Sequence, residues 1–211
     1  MRASKGAIEK IDLLDGKIIC RTIENAAPAG FCGSGLIDAM ALLVEQGIVE
    51  DTGRIKDKSE LPSELPAEIK EKVIEHENGN EFVFTGSISL NQKDVREIQL
   101  AKGAMLAGIE ILMKELGIKA EDIVEVLLAG AFGNYIRAEK ALAIGLIPQV
   151  ELKKIIFCGN AAEEGARKAL VSLELRKDVE EIAKKTKYID LSASPLFQDI
   201  FAEAMMFHRN I

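Results

Sequence analysis

Apolar and polar positions along the 211 residues fall into two periods. Ala7-Ile-Glu-Lys-Ile-Asp-Leu13 alternates apolar and polar residues, as a half-buried strand does. Asp15-Gly16 follows, then Lys17-Ile-Ile-Cys-Arg-Thr-Ile23, and two strands around Asp-Gly predict a β-hairpin. An isolated hairpin is marginal in water, so this one has to join a sheet built later in the chain. Residues 36–46 are apolar on most faces, which predicts a buried helix ended by Gly47. Residues 50–66 are polar and contain Gly53, Pro62 and Pro66, the pattern of a long loop or subdomain boundary. Residues 68–77 read as a short helix or an irregular charged segment. Asn78-Gly79-Asn80 reads as a turn, and Glu81-Phe-Val-Phe-Thr85 as a strand.

The longest helix starts at Asn91, the N-cap, with Asp94 at N3, where the helix dipole favours a carboxylate. Val95, Ile98, Ala101, Met105, Ile109 and Leu112 keep helical spacing, and the helix ends near Leu116-Gly117. Gly103, Ala104, Ala107 and Gly108 form interleaved small-x-x-x-small pairs, which let another helix or a ligand come close. The second half alternates strand and helix. The predicted strands are Val126-Leu-Leu128, residues 154–158 and residues 187–191. The predicted helices are residues 136–142, a segment running to about Leu175, residues 179–185 and residues 196–207, the last with Ser194 as cap and Pro195 at N1. This order predicts an α/β fold: a mixed sheet with flanking helices.

Three turns rich in small residues precede helices, and each is a candidate contact for an anion or nucleotide, because such turns present free backbone N–H groups. The first is Ala129-Gly130-Ala131-Phe132-Gly133-Asn134 after the apolar run 126–128. The second is Gly33-Ser34-Gly35 before the buried helix, where Ser34 could equally act as a plain cap. The third is Gly159-Asn160 after the strand 154–158; it repeats the first device of strand, small residues and helix. Each turn is also explained by tight packing with no ligand. Asp38 and Glu163 are the carboxylates nearest these turns; both are read as helix-terminus residues, and no residue qualifies as a catalytic base.

The net charge of −7 argues against non-specific nucleic-acid binding, which needs a positive field. No apolar run approaches the ~18 residues of a membrane helix, and the first residues carry no signal-peptide core. A reducing cytoplasm is the simplest compartment for Cys20, Cys32 and Cys158, which form no C-x-x-C. Cys32 and Cys158 with His76 and His208 lack metal-ligand spacing, so no metal site is expected and buried structural thiols are the favoured reading.

Four stretches occur in the order found in one known family: residues 30–38 (Gly-Phe-Cys-Gly-Ser-Gly-Leu-Ile-Asp), residues 93–104 (Lys-Asp-Val-Arg-Glu-Ile-Gln-Leu-Ala-Lys-Gly-Ala), residues 128–136 (Leu-Ala-Gly-Ala-Phe-Gly-Asn-Tyr-Ile) and residues 158–166 (Cys-Gly-Asn-Ala-Ala-Glu-Glu-Gly-Ala). Met1-Arg-Ala with Gly6-Ala-Ile-Glu9 is similar to an internal stretch of the same family. The chain resembles the C-terminal part of the ATPase domain of reductive activators of corrinoid proteins. These are ferredoxin-containing proteins of the acetate and sugar kinase, Hsp70 and actin superfamily.

The resemblance implies the second lobe of an actin-like, RNase H-like domain spanning residues 1–211 as one lobe, with a subdomain or long loop at about 50–90. It implies an adenine-nucleotide-binding lobe whose full-length parent uses ATP and Mg²⁺, and a corrinoid protein or corrinoid methyltransferase as partner. Ala129, Gly130, Ala131, Phe132, Gly133 and Asn134 resemble the superfamily's adenosine motif. Gly159 and Asn160 resemble its second connecting motif, and Gly33, Ser34 and Gly35 are expected in the same lobe. The superfamily's Asp-Ile-Gly-Thr-like phosphate loops and the cysteine cluster of a [2Fe–2S] centre have no counterpart in these residues. The expectation is therefore half a nucleotide site and no iron–sulfur cluster, in a lobe starting just downstream of the second phosphate loop and inactive alone. The alternative is an interaction or dimerisation module without nucleotide, using the small-residue helix against a partner or second copy.

Overall fold

The computed structural model describes residues 1–130, 135–191 and 194–207. Strands β1 (Ala7–Leu14) and β2 (Lys17–Thr22) form the hairpin, with Asp15 at φ 49° and Gly16 at φ 74°, both left-handed as a tight hairpin turn demands. Strand β3 (Gly30–Phe31) joins β1 in parallel through Ala7↔Gly30 and Ile8↔Phe31. The hairpin was expected to enter a larger sheet formed later. Among the described residues it gains only this two-residue strand, and it buries its apolar face against helix α1 (Gly33–Glu45) instead. Gly35 makes that contact possible: a Cβ there would lie 2.0 Å from the Ile8 carbonyl oxygen.

Helix α1 starts at Gly33, so Gly33-Ser34-Gly35 is its first turn rather than a preceding loop, and Cys32, not Ser34, stands at the N-cap. Every residue from Ile37 to Val44 is buried, in keeping with the apolar pattern on most faces. Beyond it lies the antiparallel sheet of β4 (Val73–Ile74), β5 (Glu81–Thr85) and β6 (Ile88–Asn91), preceded by the one-turn helix α2 (Ala67–Lys70). Strand β5 alternates strictly: Phe82 and Phe84 point into the core, and Phe84 meets Phe31 edge-on at 5.3 Å between ring centroids.

Helix α3 (Gln92–Leu116) has the predicted ends. The Asn91 side chain accepts from the N–H groups of Lys93 and Asp94 at 2.9 and 3.1 Å, and the Asp94 carboxylate accepts from the Asn91 N–H at 3.0 Å. Gly117 closes the helix in the left-handed conformation. Its small residues receive helix α7 (Phe197–Ala204): a Cβ on Gly103 would lie 2.9 Å from Met205 Cγ, and Ala107 and Ile111 pack against Ile200 and Ala204. Gly103 and Ala107 are thus used for helix packing within the chain, Gly108 meets Leu191, and Ala104 is exposed.

Strands β7 (Val126–Ala129) and β8 (Ile155–Gly159) pair in parallel as a separate two-stranded sheet. Between them runs α4 (Ala138–Ala143), and after β8 come α5 (Ala161–Val171) and α6 (Leu173–Lys185). The α/β class holds, with the described strands divided among three small sheets, the first of them mixed.

Three local expectations are corrected. The helix expected to run to about Leu175 breaks at Ser172, whose hydroxyl caps α6 by accepting from the Leu175 N–H at 3.2 Å. Residues 187–191 form no strand; no described strand pairs with them, and Tyr188 is exposed. Helix α7 starts at Phe197, after a turn in which the Phe197 N–H donates to the Ser194 carbonyl, so Ser194 and Pro195 precede the helix. One core unites Ile8 and Ile11 of β1 with Met40 and Leu43 of α1, Phe82 of β5, Val95 of α3, Ile144, Ile155 and Phe207.

Candidate functional site

The parallel register sets Ala129 opposite Gly159. The turns after β7 and β8 therefore lie side by side at the C-terminal edge of one parallel pair, where ligands of α/β folds bind. Gly130 sits at φ 89°, which an L side chain rarely adopts, and among the described residues beyond its chain neighbours none comes within 4 Å of the place where its Cβ would stand. Ala131, Phe132, Gly133 and Asn134 lie outside the described residues. Gly159 is also left-handed, at φ 63°. Asn160 caps α5: its side-chain oxygen accepts from the Glu163 N–H at 3.3 Å and its amide donates to the Glu163 carboxylate at 2.7 Å. Glu163 is thus the helix-terminus residue that the sequence suggests.

Gly33, Ser34 and Gly35 sit elsewhere. Gly35 abuts Ile8, Ser34 is buried within 3.4 Å of Cys32 Sγ, and Cys32 Sγ donates to the Ile8 carbonyl at 3.2 Å. Gly33 lines a mostly apolar cavity of about 570 Å³ with Phe31, Leu36, Ile98, Lys102 and Met105. No described wall of that cavity comes from β7, β8 or Gly159-Asn160, so its size alone does not connect it to the paired turns.

The chain leaving the first turn is anchored at once. Tyr135 is exposed, Ile136 enters the core, and Arg137 clamps β1 to α1. The Arg137 guanidinium donates to both Asp38 oxygens at 3.1 and 2.5 Å, to Asp12 at 2.5 Å and to the Ile11 carbonyl at 2.5 Å. Asp38, only 1% exposed, also accepts the Ile11 N–H at 3.0 Å. Burial opposes the Arg137 charge, but the hydrogen bonds to Asp38 and Asp12 prevail and hold its pKa above the ordinary value. Asp38 lies on the second turn of α1 as the buried half of this ion pair, which corrects its reading as a helix-terminus residue. The sequence carried one signal of it: a lone acid inside the apolar run Leu36-Ile-Asp-Ala-Met40. The clamp fixes the exit of the turn, and β7 fixes its entrance.

A buried cation, Lys102, joins α3 to α7. Lys102 Nζ donates to the carbonyls of Ala204 and Met206 at 2.6 and 2.5 Å, the C-terminal end of α7, and stands 5.1 Å from the centre of the Phe207 ring. Burial pushes its pKa down to about 8. Cys20, Cys32 and Cys158 are free and lie apart, on β2, at the α1 N-cap and on β8; Cys32 is the buried thiol expected, whereas Cys158 is exposed, which corrects its reading as buried. Among the described residues no three of His, Cys, Asp and Glu are grouped as metal ligands, and no helix is long and apolar enough to cross a membrane.

The family model described as the C-terminal domain of RACo, the ASKHA domain, matches residues 1–211. The corrinoid activation enzyme RamQ of Eubacterium limosum is 36% identical over 220 residues, covering 100% of this chain and 37% of that protein. A reductase of a Co(II) methylated-amine-specific corrinoid protein from Methanosarcina barkeri is 32% identical over 174 residues, covering 82% of this chain and 28% of its own length. The solved structure of a reductive activator for a corrinoid, iron–sulfur protein superposes with a TM-score of 0.83 at 34% identity, over 100% of this chain and 34% of that one. The chain thus spans about a third of the proteins that it matches. With the match covering every residue, the chain belongs to the family of the C-terminal, actin-like ASKHA domain of corrinoid-protein reductive activators.

Proposed function

We propose that these residues form the adenine-nucleotide-binding lobe of an ATP-dependent reductive activator that acts on a corrinoid protein or corrinoid methyltransferase. The supporting observation is the pair of left-handed turns at Gly130 and Gly159, side by side at the C-terminal ends of β7 and β8, within a chain of this family. In this reading Ala129 and Gly130, with Ala131, Phe132, Gly133 and Asn134 after them, take the adenosine end, and Gly159 and Asn160 border it. The left-handed Gly130, with no side chain, suits a flat base or ribose against bare backbone. Gly33, Ser34 and Gly35 take no direct part in this reading: Gly33 lines a separate cavity, and Gly35 seats α1 on β1. ATP supplies the free energy for the activation; these residues bind and orient its nucleoside end. The phosphate and Mg²⁺ contacts belong to polypeptide beyond these residues, as does any iron–sulfur cluster, and the cytoplasm is the compartment.

Calorimetric titration with ATP, ADP and AMP in the presence of Mg²⁺ tests this. Similar affinity for all three, lost in Gly130→Val, is the expected result, because the contacts are to adenosine. No heat of binding at millimolar nucleotide, or binding unchanged in Gly130→Val, refutes the assignment of this turn.

A further inference from the structure

A turn that holds a ligand through its backbone binds well only if its two ends are held still, because any ordering left to be done is lost from the affinity. The entrance to residues 129–134 is held by sheet: β7 pairs with β8 from Val126↔Ile155 to Ala129↔Gly159. The exit is held differently. Ile136 enters the core, and Arg137 stands at the N-cap of α4, its carbonyl accepting from the Lys140 and Ala141 N–H groups at 3.1 and 3.0 Å. The side chain of the same residue leaves α4 for two other elements. It bonds both oxygens of Asp38 on α1, and Asp12 and the Ile11 carbonyl on β1. Asp38 is fixed in turn by the Ile11 N–H. Lys140 adds a second tie from α4 to α1, at 2.6 Å from Glu45, but a more exposed one on the acidic side. Joining β1 to α1 does not by itself call for an arginine, since well-packed apolar residues replace buried ion pairs at little or no cost. What an apolar contact lacks is direction. The planar guanidinium sets angle as well as distance, and here it sets both for the first residue after the turn with a described side-chain anchor in β1.

We propose that Arg137 is a positioning residue for nucleotide binding, which rests on the assignment of residues 129–134 as the nucleotide turn: its guanidinium, locked to Asp38, Asp12 and the Ile11 carbonyl, holds the exit of that turn in the shape that adenosine takes. Arg137 touches no nucleotide atom in this role. Loosening the exit leaves every contacting atom in the chain but adds an ordering cost to each binding event. The cost falls equally on ATP, ADP and AMP, because adenosine is the part they share.

The test separates positioning from stability. Arg137→Met strands the Asp38 charge, whereas Arg137→Met/Asp38→Asn removes it and so recovers much of the lost Tm. Arg137→Lys keeps a cation beside Asp38 but not the fork. AMP is titrated calorimetrically into the unsubstituted chain and the three variants, well below the Tm of each. The expected result is a Kd raised at least about fivefold in all three, the double variant included, despite its recovered Tm. Hydrogen exchange at the Tyr135 and Ile136 amides should quicken at least about tenfold in the double variant, with Leu127 and Leu128 unchanged. A Kd that returns to that of the unsubstituted chain together with the Tm makes Arg137 a stabilising residue only and overturns the proposal, as does an unchanged Kd in Arg137→Lys. AMP that fails to bind the unsubstituted chain is a different outcome: it refutes the nucleotide turn itself, and the positioning role with it.

Discussion

Replacing Arg137 with methionine removes the side chain that, among the described residues, neutralises Asp38, and leaves its carboxylate with the Ile11 N–H as donor among them. The side chain of Asp38 is 2% exposed and that of Arg137 is 23% exposed. Breaking a buried pair from one side costs about 3–5 kcal/mol, because the remaining charge is uncompensated. The bond to Asp12 adds little, since both partners are partly solvated and such pairs contribute ~0–1 kcal/mol. The Ile11 carbonyl also loses its donor. We therefore expect Arg137→Met to lower stability by about 3–4 kcal/mol, a large part of the 5–15 kcal/mol typical of a domain. At about 2–4 °C per kcal/mol this is a fall in Tm of roughly 6–16 °C. Asp38→Asn keeps an acceptor for Ile11, and Arg137→Met/Asp38→Asn removes both charges. Urea denaturation of the four proteins gives the cycle, with a coupling of at least about 2 kcal/mol expected. A loss under about 1 kcal/mol in Arg137→Met, or additivity within about 0.5 kcal/mol, refutes the clamp.

Lys102 gives a pH-dependent prediction. Its folded pKa of about 8 lies below the ordinary 10.5, so between these values the unfolded chain binds more protons and stability rises with pH. The gain is at most about 3 kcal/mol from pH 8 to 10.5 at 1.36 kcal/mol per unit, and Lys102→Met abolishes it; parallel urea-midpoint profiles for the two proteins refute the assignment. Gly35→Ala forces a methyl group against the Ile8 carbonyl and should cost more than about 2 kcal/mol, read as Tm, while an unchanged Tm contradicts the close approach of α1 to β1. Asn91→Ala removes the α3 cap and should cost about 1 kcal/mol by urea titration; Asn91→Asp, which keeps the acceptor, should cost little.

Helix α3 was fully legible because each of its determinants is local: an Asn cap, an Asp three residues on, a helical period and a closing glycine. Asp15-Gly16 was legible for the same reason. The break at Ser172 was not, since residues 161–185 have helical composition on both sides and one hydroxyl decides where the second helix starts. Residues 187–191 have a strand-like composition in Tyr188, Ile189 and Leu191, but a strand exists only where another pairs with it. At the candidate site, the small-residue turns could be read one by one. Their adjacency, Ala129 to Gly159, depends on the register of a parallel pair, which no local signal encodes. The Asp38–Arg137 clamp spans 99 residues and showed only as an acid out of place in an apolar helix.

The junction at Lys102 also bears on how the chain folds. Its bonds to Ala204 and Met206 span 102 and 104 residues, the Gln99 bond to Met205 spans 106, and the Phe207 N–H reaches back to the Asp51 carbonyl. Contacts this distant in sequence close late, because the loop entropy is lost before the contacts repay it. Until residues 197–207 have been synthesised, α3 shows its small-residue stripe and the Lys102 ammonium to water. The first half can form its hairpin and α1 during synthesis, but α3 is sealed only when residues 204–207 arrive. A ribosome pause or premature stop just short of them leaves an assembled core with an open apolar groove, a point at which a nascent chain of this family needs chaperone cover.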